Sequence, residues 1–209
     1  GGISNLLDRT ISILSELHYE HIFIVVGYKK ELFKKYNKDN VKLVYNKDYA
    51  FTSSMGSLSV VEPYINEDFV LIESDTFYEK KVLEQLTETK YDTCFSITEE
   101  SGSGDEAFVQ TKNGFIEKVC KDRHQILHID GEMIGLTKIS LAKLHDMCCL
   151  YESASNKKVN YEYLLLDCTR EIDRPFIRFR NLIWGEVDNE KDFHNLQDVI
   201  YRRLQRKEN

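Results

Sequence analysis

The chain alternates between two textures. Short, mostly apolar runs such as His21-Ile-Phe-Ile-Val-Val-Gly27, Val41-Lys-Leu-Val-Tyr45 and Phe69-Val-Leu-Ile72 are separated by stretches whose apolar residues recur three or four positions apart. The runs predict strands covered on both faces, and the spaced residues predict amphipathic helices. Ser4 or Asn5 can cap a first helix carried by Leu7, Ile11, Leu14 and Leu17. A strand over 21–27, a helical stretch over 29–36 and a strand over 41–45 follow. Ser53 or Ser54 opens a helix to Val61, and Pro63 comes just after its end. Then come a strand over 69–74, a helix over 80–86 and a strand over 91–98. Strand and helix in alternation imply a parallel sheet with right-handed crossovers.

From Ser101 the pattern changes. Ser101-Gly-Ser-Gly-Asp105 reads as a flexible loop, and Lys112-Asn-Gly114 as a hairpin turn between strands over 107–110 and 115–119. A strand over 127–137, helices over 140–150 and 160–171, β structure over 174–184 and a closing helix over 192–204 complete the reading. We expect one α/β domain spanning 1–209. Its parallel half, about 1–100, would hold a nucleotide, and its more antiparallel half, about 101–209, would shape a second substrate's pocket.

Composition narrows this only a little. The 209 residues are 42% hydrophobic and 30% charged, with net charge −7, which is ordinary globular chemistry and argues against a nucleic-acid partner. Five cysteines without a CxxC spacing read as reduced thiols, and a cytoplasmic protein is expected. No apolar stretch is long enough for a membrane span. No GxSxG, GxxxxGK[ST] or HExxH motif occurs.

The chemistry concentrates where apolar runs end in acid. Phe69-Val-Leu-Ile-Glu-Ser-Asp75 and Leu182-Ile-Trp-Gly-Glu-Val-Asp188 each deliver a carboxylate at a strand's carboxyl end, the edge where open α/β sheets bind ligands. Asp75 and Asp188 converging there would make a hard oxygen site for Mg²⁺ and a nucleoside triphosphate. Asp75 also reads as a loop residue capping the next turn, and Asp188-Asn-Glu-Lys191 as a helix capping box. Thr52, Ser53, Ser54 and Ser57 crowd a helix start, where exposed N–H groups suit phosphate or base edges; plain capping is the alternative. Tyr161-Glu162-Tyr163 suits an ammonium group, unless Glu162 is simply an exposed helix residue. Lys121 with Arg123 could hold a phosphate or phosphonate, or could be a solvated loop.

Taken in order, these stretches resemble the small nucleotidyltransferases that activate phosphorylated or phosphonylated amino-alcohols, namely the phosphocholine and 2-aminoethylphosphonate cytidylyltransferases. The matching residues are Ile24-Val-Val-Gly-Tyr-Lys-Lys-Glu31, Leu43-Val-Tyr-Asn46, 52–58, 72–75, Gly131-Glu-Met-Ile-Gly135, Asn160-Tyr-Glu162 and 184–193. The resemblance implies a Rossmann-like nucleotidyltransferase fold, a mixed and mainly parallel sheet flanked by helices with a small antiparallel region on the substrate side. It implies attack of a phosphate or phosphonate oxygen on the α-phosphorus of CTP, with release of pyrophosphate. Asp75 and Asp188 match the family's metal-binding aspartates, and Lys121 would orient the attacking group. Thr52, Ser53, Ser54, Ser57 and Ser74 fall on the nucleotide side. Glu106, Glu132, Tyr161, Glu162, Trp184 and Glu186 fall on the acceptor side. The implied partners are small molecules, leaving room for a homodimer or a fused domain.

Two departures qualify the resemblance. The family's first strand and Gly-rich signature are absent, and Gly1-Gly2-Ile3 matches the point just after them. The expectation is of a chain short by a few tens of residues, binding CTP poorly as it stands. Near Ala107, where choline-type members carry an aromatic residue, Asp105-Glu106-Ala107 offers carboxylates and a methyl. A primary ammonium fits that setting better than a trimethylammonium, which favours 2-aminoethylphosphonate over phosphocholine. A sugar-1-phosphate nucleotidyltransferase and a non-catalytic nucleotide-binding domain are the competing readings.

Overall fold

The computed structural model describes residues 5–38 and 40–208. In chain order it contains α1 (Leu6–Glu16), β1 (Ile22–Val26), β2 (Val41–Tyr45), α2 (Ser54–Val61), β3 (Phe69–Ile72), β4 (Thr76–Phe77), α3 (Lys81–Glu88) and β5 (Cys94–Thr98). There follow β6 (Phe108–Lys112), β7 (Phe115–Cys120), β8 (Gly131–Ile139), α4 (Leu141–Ser153), α5 (Tyr161–Asp167), β9 (Phe176–Arg178), β10 (Gly185–Glu186), α6 (Glu190–Asn195) and α7 (Tyr201–Glu208). The stretch 30–36 is helical but wound as a 3₁₀-helix. The Asn5 side chain caps α1 by accepting the Leu7 N–H; Ser4, the other candidate cap, lies outside the described residues.

The expected α/β class holds, and the pairing adds a feature that alternation alone did not suggest. β1 and β2 pair in parallel, as do β5 and β9. The long β8, however, is inserted antiparallel between neighbours that run parallel to one another. β5 ladders along one of its edges, while β6 and then β3 share the other. The antiparallel half therefore threads a strand into the sheet that carries the parallel half. Gly135 sits where β8 passes from β6 to β3. Its φ of +66° suits glycine, and a Cβ there would lie 3.1 Å from the Glu73 Cβ and 3.0 Å from the Thr76 Oγ1.

The sheet is covered on both faces, as its apolar runs require. Met55, Leu58, Phe95, Ile97, Met133, Met147 and Leu165 anchor one core cluster, built with α2, α4 and α5. Leu14, Tyr78, Leu83, Ile134, Leu136 and Phe179 anchor the other, built with α1 and α3. Phe23 and Val25 of β1 pack with Phe69 and Leu71 of β3 on the first cluster, while Ile24 packs with Val70 and Ile72 on the second. The two strands thus lie in one layer, although no ladder joins them among the described residues. A smaller cluster of Phe77, Ile183, Leu196 and Leu204 seats the C-terminal helices. Buried Glu79 fastens them further, accepting from the Lys207 ammonium at 2.7 Å and the Ile183 N–H at 2.9 Å.

Several boundaries move. The strand expected from 127 begins at Gly131, after a 3₁₀ turn at Arg123–Gln125. The β structure expected over 174–184 shrinks to β9, only β10 remains of the strand expected in the run 182–188, and the two-residue β4 appears where none was expected. The helix expected over 160–171 stops at Asp167. The hairpin turn is as expected, with Asn113 and Gly114 both at positive φ.

Candidate active site

Two short strands bring the acids together. β3 ends at Ile72, the chain continues through Glu73-Ser74-Asp75, and β4 then pairs antiparallel with β10, Thr76 opposite Glu186 and Phe77 opposite Gly185. The Val187 N–H donates to the Asp75 carbonyl at 3.0 Å. Asp75, which accepts this bond, and Asp188, which follows its donor, are thereby brought together although they are 113 positions apart in the numbering. The Asp188 carboxylate does not cap α6: the Asn189 side chain does, accepting from the Lys191 and Asp192 N–H groups, while the Asp192 carboxylate accepts the Asp188 N–H at 3.3 Å. The capping-box alternative thus moves one residue along, to Asn189 as the cap, because its side chain reaches two of the free N–H groups of the first turn.

The carboxylates perturb one another. Burial first, then the Glu162 and Asp75 carboxylates, push the Glu73 carboxyl up to about 7. Burial, then Glu73, Asp75 and Asp188, push Glu186 up to about 7. Burial raises Asp75 as well, with Asp188 adding to it and the backbone opposing it. Burial raises Glu162 against hydrogen bonds from its own N–H and Asn160. Such crowding holds each group toward its neutral form until a cation arrives. Lys121 faces this basin: it favours the charged forms of Glu73, Asp75, Glu162 and Glu186 alike.

A divalent metal fits this donor set. One oxygen of Asp75, Oδ1, is buried without a hydrogen-bond partner, which leaves a hard lone pair available. Among the described residues no three acidic, histidine or cysteine side chains already form a cage. Mg²⁺ needs none, since it is commonly held by one or two carboxylates together with water and substrate phosphates.

The remaining candidates divide. The Asn46 side chain, 2% exposed, donates to Thr52 Oγ1 at 3.1 Å and Ser57 Oγ at 3.3 Å, while its Oδ1 accepts the Asp48 N–H. Ser54 Oγ accepts the Tyr161 N–H at 3.0 Å and so ties the start of α2 to α5. Ser53 precedes α2 without a side-chain capping bond, and Ser74 is exposed beside Glu73. Tyr161, expected beside the acceptor's amine, is fully buried; its hydroxyl bonds Thr137 at 3.1 Å and faces Glu73. Its ring therefore supports Glu73 from the core and is not open to a cation. Trp184 is half-buried against the second core cluster. Glu132, 1% exposed, receives the Ser101 N–H at 3.0 Å, and Glu106 receives the Gly104 N–H at 3.2 Å. These two carboxylates repel each other and brace the loop over 99–107. Sequence reasoning quoted Asn46 without giving it a role, and it missed Glu73; the signal for both was a polar residue at the carboxyl end of an apolar run.

Known proteins share this architecture. The structure of inositol-1-phosphate CTP transferase from T. maritima superposes with a TM-score of 0.75 at 19% identity, covering 96% of this chain and 82% of that one. CTP:phosphocholine cytidylyltransferase from Streptococcus pneumoniae superposes with a TM-score of 0.72 at 18% identity, covering 93% and 85%. The fold is that of the nucleotidyltransferases. In sequence, this nucleotidyltransferase-fold chain is 21% identical over 196 residues to the choline-phosphate cytidylyltransferase of Streptococcus pneumoniae, over 93% of its own length and 84% of the relative's. It is 25% identical over 114 residues to that of Haemophilus influenzae, over 54% and 48% of the two lengths. The resemblance expected from the motifs thus extends along nearly the whole chain. No family model matches it. No helix among the described residues is long and apolar enough to cross a membrane.

Proposed function

We propose that the protein is a CTP-dependent cytidylyltransferase whose acceptor is the phosphonate or phosphate of a small amino-alcohol, with 2-aminoethylphosphonate favoured over phosphocholine. The observation carrying this reading is the Asp75–Val187 hydrogen bond, which sets two acids side by side in a basin faced by Lys121. The relatives named choline-phosphate cytidylyltransferase support it along most of the chain.

Transfer of a nucleotidyl group needs alignment and charge neutralisation rather than a protein nucleophile. An acceptor oxygen bonds to the α-phosphorus of CTP as the bond to pyrophosphate breaks. The acceptor head is already anionic at neutral pH, so no general base is required. Lys121 holds that head and offsets its charge, while the Asn46-braced Thr52 and Ser57 line the start of α2 on the nucleotide side. Asp75 and Asp188 would hold Mg²⁺, which when bound neutralises triphosphate charge. Glu73 and Glu162 would balance the cationic end of the acceptor.

Cyclic polyol phosphates are the second reading, favoured by the inositol-1-phosphate CTP transferase likeness. An uncharged polyol would leave this many carboxylates uncompensated, which ranks it lower. The test is pyrophosphate release by the full polypeptide with Mg²⁺ and CTP, offering 2-aminoethylphosphonate, phosphocholine and inositol-1-phosphate in parallel. Release with an amino-alcohol acceptor supports the reading. Release with inositol-1-phosphate alone replaces it, and release with none removes it.

A further inference from the structure

The loop over 99–107 crosses from β5 to β6 with two glycines at positive φ, Gly102 and Gly104, and its carboxylates are not equivalent. Glu106 is turned onto its own loop by the Gly104 N–H. Asp105 instead reaches Lys121 at the end of β7, Oδ2 to Nζ 2.7 Å, with both side chains about half exposed. Burial alone would lower the Lys121 ammonium, yet the Asp105 contact, then Glu186 and Glu162, hold it above the usual lysine value. An internal ion pair of opposite signs therefore stands open at the rim of the acid basin, each partner on a different segment.

An anion arriving alone at Lys121 would displace Asp105 and leave that carboxylate unpaired beside Glu106. A zwitterion returns to each partner the counter-charge it gives up, so the exchange leaves no charge stranded. We propose that the Asp105–Lys121 pair is the acceptor-recognition element, split by a zwitterion whose phosphorus-centred anion goes to Lys121 and whose primary ammonium goes to Asp105. A primary ammonium donates hydrogen bonds to the carboxylate, which a trimethylammonium cannot do. The inference rests on the cytidylyltransferase reading, and it moves the amine's partner from Glu73 and Glu162 to Asp105.

The experiment is calorimetric binding to the full polypeptide without CTP or metal, using 2-aminoethylphosphonate and n-propylphosphonate, in which a methyl replaces the ammonium. Wild type should prefer the aminophosphonate. Asp105→Asn should bind it at least tenfold more weakly and bind propylphosphonate several-fold more tightly, since the competitor for Lys121 is gone. Asp105→Glu should restore the preference, and Lys121→Met should weaken both ligands. Shifts of Asp105→Asn in the same direction for both ligands, no shift, or no binding of either by wild type overturns the inference. Opposed shifts without pyrophosphate release from CTP would keep the recognition element and remove the cytidylyltransferase reading. Release without opposed shifts would do the reverse.

Discussion

The Val187 N–H donates to the Asp75 carbonyl at 3.0 Å, and this single backbone bond joins two acid-tipped segments far apart in the chain. Both acids flank a two-residue ladder, so the backbone sets how far apart their Cα atoms stand. Asp75→Asn and Asp188→Asn should each lower metal-dependent turnover by about a hundredfold or more, the scale of losing a transition-state charge partner, while circular dichroism and melting temperature stay near wild type. Wild-type rates in both variants would refute the metal assignment.

Much of this was legible beforehand, for identifiable reasons. Runs such as 22–26 and 69–72 are apolar at consecutive positions because helices cover both faces, so their strand character needed no partner to be read. The acids stood out because a carboxylate ending such a run has to face solvent or a ligand. The antiparallel insertion of β8 was not legible, since periodicity reports burial and not which strand lies alongside. β4 and β10 are two residues each and carry no period at all. The burial of Tyr161 depends on Thr137 and Glu73, contacts made across the fold that a local Tyr-Glu-Tyr pattern does not encode.

Gly135 links the fold to the site. Its positive φ excludes most side chains, and an added Cβ would crowd Glu73 and Thr76 at 3.1 and 3.0 Å. Gly135→Ala should destabilise the protein by about 1–3 kcal/mol, measured by urea unfolding. It should also reduce turnover, because the Glu73 N–H donates to the Gly135 carbonyl at 2.9 Å and any shift of that carbonyl moves Glu73. A variant with unchanged stability would show that the left-handed turn tolerates a side chain.

Asn46 is nearly fully buried and makes three polar contacts at the carboxyl end of β2. Asn46→Asp keeps the shape but replaces the amide donors with a buried carboxylate, which Thr52 can meet only by giving up its bond to the Asp48 carbonyl and Ser57 only by turning its hydroxyl. A loss of about 1–3 kcal/mol is expected from unmade buried hydrogen bonds. The KM for CTP should rise more than that for the acceptor if, as proposed, Thr52 and Ser57 line the nucleotide side. Equal rises for both substrates would remove the side-specific role.

Glu73 makes stability depend on pH in a direction opposite to that of a paired carboxylate. Its pKa in the folded protein is about 7 against an ordinary 4.5, so the folded state holds the proton more tightly than the unfolded chain. Below about pH 4.5 the group is neutral in both states and costs nothing. As pH rises toward 7 the unfolded chain ionises first, and folding stability falls; above about 7 both states are ionised and the loss is complete. A shift of this size corresponds to about 3 kcal/mol at most, and to about 2 kcal/mol once solvent reaching the half-buried carboxyl is allowed for. Glu73→Gln removes the ionisation while keeping the shape. In metal-free urea unfolding the variant should match wild type near pH 4 and exceed it by roughly that amount at pH 8. A stability difference that stays constant across that range would mean that the Glu73 carboxyl keeps its ordinary pKa in the folded basin.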